Sequence, residues 1–118
     1  MINVTIFNEF EHEQKMKEAK EVYPNGIHAA IADFLGVEQD INVRTVTLYK
    51  ENLELDPQCQ ITKELLDDTD VLIWWGHMAH GKVSDTTAAL VRDAVQEGMG
   101  AIFLHSGHHS KPFKLLMG

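Results

Sequence analysis

The chain has 118 residues, of which 44% are hydrophobic, and its formal net charge at pH 7 is −8. This length supports one domain with a modest core and argues against several domains. The negative charge argues against nucleic-acid and anionic-membrane partners, because their phosphate groups would be repelled on average, although a small anionic substrate stays open.

The N-terminus lacks the basic and long apolar regions of a signal peptide, and its first seven residues already indicate a strand. No apolar run approaches the roughly 18 residues that a membrane helix requires. Cys59 is the single cysteine, which excludes an internal disulfide and a multi-cysteine zinc site and suits a reducing compartment. We therefore expect a cytoplasmic protein in which Cys59 is inert.

The first half of the chain predicts two strands joined by a helix. Residues 2–7 alternate apolar and small polar side chains, which favours a strand. The charged segment 14–22 favours either a short helical turn or a loop. Residues 27–35 have the apolar spacing of a helix that Gly36 ends, and the β-branched residues of 43–48 predict the second strand.

The middle of the chain leads to the most apolar stretch. Residues 51–60 have no periodicity and predict a loop, after which Thr62 is a suitable cap for a short helix. Residues 71–75 are five large apolar side chains ended by Gly76. This run predicts a strand that is buried on both faces of a parallel sheet.

The last third repeats the pattern of helix and strand. Residues 83–95 keep helical spacing, with Ser84 or Asp85 as the cap, and residues 100–104 predict a second buried strand. A proline after Ser110 indicates the start of another helix. Strands and helices thus alternate with connections of the length that forms parallel crossovers, which predicts one α/β domain with a parallel sheet.

All seven histidines lie in three segments that follow predicted strands, namely 8–28, 76–82 and 105–111. The carboxyl ends of parallel strands meet at one edge of a sheet, where open α/β proteins bind ligands. Zinc accepts imidazole nitrogens and carboxylate oxygens. We therefore predict a small-molecule site there, with zinc or another divalent metal as a candidate cofactor. The candidate metal ligands are His77, His105, His108 and His12.

The same edge supplies the candidate catalytic and binding groups. The predicted catalytic residues are His105, His77 and Glu9. The predicted substrate-binding residues are Trp75, His28, Ser106 and His80. Trp74 and Trp75 are also predicted to lie in the core, on opposite faces of their strand. Among the carboxylates Glu9, Glu11 and Glu13, only the first is predicted to lie at the site, and the other two are predicted to be solvated.

Two other functions are disfavoured by the motifs. Ser106 lies between a strand and a helix, as the nucleophile of a serine hydrolase does, but Leu104 and His108 stand where the G-x-S-x-G motif requires glycine. A flavodoxin-type nucleotide site requires a glycine-rich phosphate loop after the first strand. Residues 8–11 there are acidic and bulky, so they would repel phosphate.

Six stretches of the chain resemble the trehalose-utilisation, or ThuA-like, family, a branch of the class I glutamine amidotransferase-like superfamily. The most specific are residues 74–77 and 105–108. The resembling stretches are residues 8–13, 23–28, 70–80, 97–100, 104–110 and 113–118. The resemblance implies a flavodoxin-like three-layer sandwich whose C-terminal part lies beyond residue 118. Apolar surface left uncovered by that part would favour a homo-oligomer.

The resemblance also implies a function in sugar metabolism. Members of the family act in the catabolism of trehalose and related sugars, including 3-keto disaccharides. Glutamine amidotransferases have a cysteine nucleophile at the position that matches His105, and Cys59 does not replace it, so we expect no glutaminase activity.

Two hypotheses follow. The first is a metal-assisted keto-sugar isomerase, in which a metal polarises the carbonyl group and Glu9 or His77 moves a proton. The second is a sugar-binding or regulatory module without catalysis, because one fold supports many functions.

Overall fold

Four parallel strands form a single sheet. The computed structural model describes the backbone of residues 1–118 and every side chain except those of His12, His105 and Ser106. The strands are β1 Ile2–Asn8, β2 Ile41–Thr47, β3 Val71–Trp75 and β4 Gly100–Phe103. Their order across the sheet is β2-β1-β3-β4, and each neighbouring pair is parallel. The predicted parallel α/β sheet is thereby confirmed, and it is consistent with a flavodoxin-like fold.

Six α-helices and two 3₁₀ turns connect or follow the strands. The helices are α1 His12–Lys15, α2 Lys17–Val22, α3 Ile27–Leu35, α4 Lys63–Asp67, α5 Asp85–Gln96 and α6 Lys111–Met117, and the 3₁₀ turns are His80–Lys82 and His105–His109. The caps are as predicted: the Thr62 hydroxyl accepts a hydrogen bond at the start of α4, and Ser84 does so for α5. None of these helices has the length and apolar character that a bilayer crossing requires.

The structure refines the predictions for β2 and for the charged segment 14–22. β2 begins at Ile41, two residues before the predicted start, because pairing with β1 already begins at Ile2. The sequence of the charged segment 14–22 favours either a helical turn or a loop, and in the structure most of this segment lies in α1 and α2. Sheet pairing decides the first boundary, and no local pattern of side chains reveals it.

β1 is an interior strand of the sheet and lies between β2 and β3. The chain leaves β1 for β2 on one side and later enters β3 on the other, so a crevice opens between the carboxyl ends of β1 and β3. In open α/β sheets, ligands bind at such a switch point. Asn8 pairs with Trp75 in the last register position, so Glu9 and Gly76 begin their loops side by side.

The core lies between one face of the sheet and helices α4 and α5. Trp74 is 1% exposed, and its ring stacks on Phe7 with a centroid distance of 3.9 Å. Its predicted place in the core is confirmed. On the other face, α3 packs on β1 and β2, and Ile102 of β4 is 50% exposed. Trp75, on this second face, is only partly buried, so its predicted place in the core is confirmed only in part.

We predict that Trp74→Ala lowers the free energy of unfolding by about 3 to 5 kcal/mol, because it leaves a cavity beside Phe7. Ile102→Ala is the matched control on the exposed face, and a loss of less than about 1 kcal/mol is expected there. Urea unfolding followed by circular dichroism measures both. Equal losses in the two variants would contradict the assignment of the core.

Candidate functional site

The segments that follow β1, β3 and β4 lie side by side at the carboxyl edge of the sheet. The Glu9 N–H donates to the carbonyl oxygen of Trp75 at 3.3 Å, and the Leu104 N–H donates to that of Trp74 at 3.0 Å. Backbone hydrogen bonds thus continue past the ends of the strands. The edge that the sequence predicts for the histidines is formed by these three segments.

The Glu9 carboxylate binds the backbone of the loop that follows β3. Its side chain is buried and accepts hydrogen bonds from three consecutive backbone N–H groups, those of His77 at 2.9 Å and of Met78 and Ala79 at 3.0 Å. Consecutive N–H groups turned toward one point form an anion-binding concavity. A Cβ atom at Gly76 would lie 3.0 Å from a Glu9 carboxylate oxygen and 3.2 Å from the His80 ring, so a larger residue there would press on both side chains.

Glu11 joins two further segments. Its carboxylate accepts hydrogen bonds from the Tyr49 hydroxyl at 2.6 Å and from the Lys82 ammonium group, and Lys15 lies 3.6 Å away. Burial by itself would raise the pKa of Glu11. The hydrogen bonds from Lys82 and Tyr49 and the charges of Lys82 and Lys15 outweigh that effect, so the pKa lies below its ordinary value.

Glu13 joins the start of α3 to the end of β1. One of its oxygens accepts from the Asn8 amide at 2.6 Å and from the Ile27 N–H at 2.8 Å. The other oxygen is buried and has no hydrogen-bond partner among the described residues. Glu9, Glu11 and Glu13 are between 1% and 3% exposed.

The prediction that Glu11 and Glu13 are solvated is therefore wrong. Each carboxylate is buried because it finds donors on another element, which offset the cost of removing its charge from water. Tyr49 and Lys82 are 38 and 71 residues from Glu11 in sequence. No local motif reveals such partners, so sequence reasoning missed Asn8, Tyr49 and Lys82 as organising residues.

His80 lies directly against Glu9. Its Nδ1 atom is 3.6 Å from a carboxylate oxygen of Glu9 and makes no hydrogen bond to any described residue. Burial lowers the pKa of His80, the Glu9 charge raises it, and the nearby charges of His109, His77 and Lys114 lower it further. The net change is downward, so the imidazole is neutral at pH 7 and is able to accept a proton.

The other described histidines at this edge lie close by. The His77 ring is 6.2 Å from that of Trp75, and the His109 ring is 6.2 Å from that of His80 and 3.9 Å from that of His108. Four of the predicted site residues are thus gathered around one crevice. They are Glu9, His77, His80 and Trp75. His28 lies on the other side of β1, where it contacts Asn8 and Phe10.

The metal prediction depends partly on side chains outside the described residues. The side chains of His12, His105 and Ser106 are in that group, so their predicted roles stay predictions. The described side chains include two of the four candidate ligands, His77 and His108. Among the described side chains, no group of three His, Cys, Asp or Glu residues is arranged to hold a metal ion.

Cys59 offers no nucleophile to this edge. It is fully buried, and burial, followed by the charges of Asp56 and Glu9, raises the pKa of its thiol far above the ordinary value. The reactive thiolate form is therefore suppressed at neutral pH, as is expected of an inert cysteine.

The family model ThuA, described as trehalose utilisation, matches residues 3–118. No curated protein was found to match the chain. The match covers all three segments of the carboxyl edge and agrees with the resemblance that the motifs indicate.

We predict that Glu11 makes stability dependent on pH in acid. Because the pKa of Glu11 is lowered in the folded protein, its contribution to the free energy of unfolding is complete above pH 4.5, the ordinary pKa of the group. This contribution is lost as the pH falls below that value. Lys82→Met removes a donor and a charge, so stability should fall less steeply in acid than in the parent protein. Urea unfolding at a series of pH values measures this.

Lys63→Met is the matched control, because Lys63 pairs with Asp67 at the surface. It should leave the acid dependence unchanged. If Lys82→Met also retains the parent's slope below pH 4.5, Glu11 is not the group responsible.

Proposed function

Because this chain belongs to the ThuA family, which is described as acting in trehalose utilisation, we propose that the crevice at the carboxyl edge of β1, β3 and β4 binds a sugar or a 3-keto disaccharide and acts on it. The observation that carries this proposal is the buried Glu9 carboxylate, which holds residues 77–79 and lies against His80 at the switch point of the sheet. The predicted binding groups Trp75 and Ser106 belong to the same proposal, and His28 would contact the sugar from the other side of β1.

The proposed reaction is the isomerisation of a keto-sugar, which requires only proton transfers. His80 takes the proton from the hydroxyl-bearing carbon next to the carbonyl group, while the carbonyl oxygen receives a proton from an acid, which gives an enediol. The hydroxyl oxygen of the original alcohol then returns a proton to that acid, and His80 delivers its proton to the former carbonyl carbon. No oxidant or reductant is consumed.

The neighbours of His80 suit this role. The Glu9 carboxylate lies 3.6 Å from Nδ1, so it would stabilise the imidazolium that forms when His80 takes a proton. Glu9 acts in this scheme by charge and by position. His77 and His105 are the candidates for the acid that protonates the carbonyl oxygen.

A second function is a sugar-binding or regulatory module without catalysis. One observation favours it: both oxygens of Glu9 already accept backbone hydrogen bonds, so the carboxylate has a structural role that needs no reaction. The two functions differ in turnover, because the binding module would bind sugar and leave it unchanged.

We predict that His80→Gln lowers kcat on 3-keto-trehalose by about 100-fold or more while sugar affinity is largely retained, because the variant loses the base and keeps its shape. An assay of product formation measures kcat, and calorimetric titration measures the affinity for the sugar. Glu97→Gln, an exposed change at the opposite end of the sheet, is the control and should behave as the parent protein.

Sugar binding by a parent protein that shows no turnover would favour the non-catalytic module. An unchanged kcat in His80→Gln would remove His80 as the base and leave His77 and His105 as candidates.

A divalent metal, zinc in the first place, is a further part of the proposal, with His77, His105, His108 and His12 as its candidate ligands. Such a metal would polarise the carbonyl group of the sugar. The described donors alone do not complete a site, and the proton transfers proposed for His80 do not require one.

We predict near-stoichiometric metal in the tag-free parent protein and its loss in His108→Ala and His105→Ala, because each change removes a ligand. Elemental mass spectrometry measures the content. Parent protein without metal after expression in zinc-supplemented medium would contradict the metal proposal.

Location and assembly complete the proposal. We expect a cytoplasmic protein, in keeping with its single reduced cysteine. The large exposed apolar side chains of Phe34, 77% exposed, and Val37, 76% exposed, support a homo-oligomer, because exposed apolar surface favours association.

A further inference from the structure

A second concave region lies beside the crevice, at the carboxyl end of β2. It is a cleft of about 790 Å³, and its walls include Phe10, His28, Thr45, Tyr49 and Lys50. We propose that this cleft is a sugar subsite in which His28 presents a fixed N–H donor, on Nε2, to an oxygen atom of the ligand. The proposal deepens the sugar-binding function and rests on it for the class of ligand.

The first step concerns the orientation of the Asn8 amide. The Phe10 N–H lies 3.1 Å from one end of this amide, and the Glu13 carboxylate lies 2.6 Å from the other. A backbone N–H requires an acceptor, and a carboxylate requires a donor. Both neighbours therefore demand the same orientation, with Oδ1 toward Phe10 and Nδ2 toward Glu13.

The second step concerns the tautomer of His28. Asn8 Nδ2 carries two hydrogen atoms, and His28 Nδ1 lies 3.0 Å from it. Because Nδ2 is a donor, Nδ1 must be the acceptor, and a neutral imidazole with an acceptor at Nδ1 carries its proton on Nε2. Burial lowers the pKa of His28 despite the charge of Glu13, so the neutral form prevails at pH 7.

The third step concerns how firmly the ring is held. A Cβ atom on Gly26 would lie 2.4 Å from His28 Cε1, so only glycine leaves room for the ring, and its φ of 94° also favours glycine. The Phe10 ring meets the imidazole edge to face at 5.2 Å. The donor and an aromatic wall therefore stand in a fixed relation.

Phe10 itself is held in an unusual conformation. Its φ is 59°, in the left-handed region that side chains such as phenylalanine rarely adopt. The Asn8 side chain binds its N–H, and the Gln14 side-chain amide donates to its carbonyl oxygen at 2.6 Å. Backbone strain of this kind persists only where the surroundings enforce it, and it is common at ligand sites.

The composition of the cleft favours an uncharged ligand rich in oxygen atoms. Lys50 and Glu51 are adjacent in the lining and have opposite charges, while threonine, asparagine and glutamine supply polar atoms beside the aromatic ring. Sites that combine an apolar surface with a few oriented polar groups suit such ring compounds. A sugar ring has this chemistry.

The tautomer is tested by nitrogen-15 NMR of histidine-labelled protein at pH 7. The expected result is an unprotonated Nδ1 and a protonated Nε2 for His28 in the parent protein. Asn8→Asp should move the proton to Nδ1, because a carboxylate accepts where the amide donated, and Asn42→Asp at the exposed end of β2 is the matched control. A protonated Nδ1 in the parent protein, or exchange between the two tautomers, would overturn the proposal.

The subsite is tested by titration of the parent protein and its variants with trehalose and with D-glucose, followed by amide NMR. Shifts at residues 10, 28 and 50 are expected. His28→Asn should lose about tenfold in affinity, the worth of one hydrogen bond, whereas His28→Gln keeps a distal N–H donor and should lose less.

The outcomes separate the two proposals. Shifts confined to residues 76–80 would overturn the subsite and leave the sugar-binding function standing. Absence of shifts at both places would overturn both. Equal affinities in the parent protein, His28→Asn and His28→Gln would overturn the role of His28 even if sugar binds in the cleft. The His28 variants keep this test valid if Asn8→Asp fails to fold.

Discussion

The carboxyl edge of the sheet depends on three buried carboxylates in the segment 9–13 that follows β1. A buried carboxylate is tolerable only when donors replace the water that it loses, so each glutamate constrains the element that supplies its donors. Glu9 fixes the loop after β3, Glu11 fixes the loop after β2 and the 3₁₀ turn at Lys82, and Glu13 fixes the start of α3. One short segment therefore positions most of the surface on which chemistry is expected.

This arrangement divides the edge into two regions on either side of β1. Glu9 points toward β3 and holds the crevice that contains His77 and His80, whereas Glu13 acts through Asn8 on His28 and on the cleft beside β2. The division follows from the strand order, because the neighbours of β1 are reached at different points along the chain. Adjacent positions in the loop, such as those of Glu9 and Phe10, thereby serve different regions.

Much of the fold could be predicted because its signals are local. The apolar run at 71–75, the helical spacing at 83–95 and the capping residues depend on neighbours within a few positions. The edge could be predicted too, since parallel strands bring their carboxyl ends together. The burial of Glu11 and Glu13 could not, because a charged side chain is solvated unless a distant partner meets it, and the partner Lys82 becomes a neighbour only in the folded chain.

The histidines illustrate the same limit at the level of protons. Their residue types and their places after strands predict where imidazoles gather, but the protonation state depends on the groups that surround each ring. His80 meets a carboxylate at Nδ1, while His28 meets an amide N–H at the same atom. The carboxylate beside His80 would stabilise its protonated ring, so His80 is suited to receive a proton. The amide donor beside His28 opposes protonation of Nδ1, so His28 is suited to keep its single proton on Nε2. Burial lowers the pKa of both rings, and the group beside Nδ1 distinguishes their proposed roles.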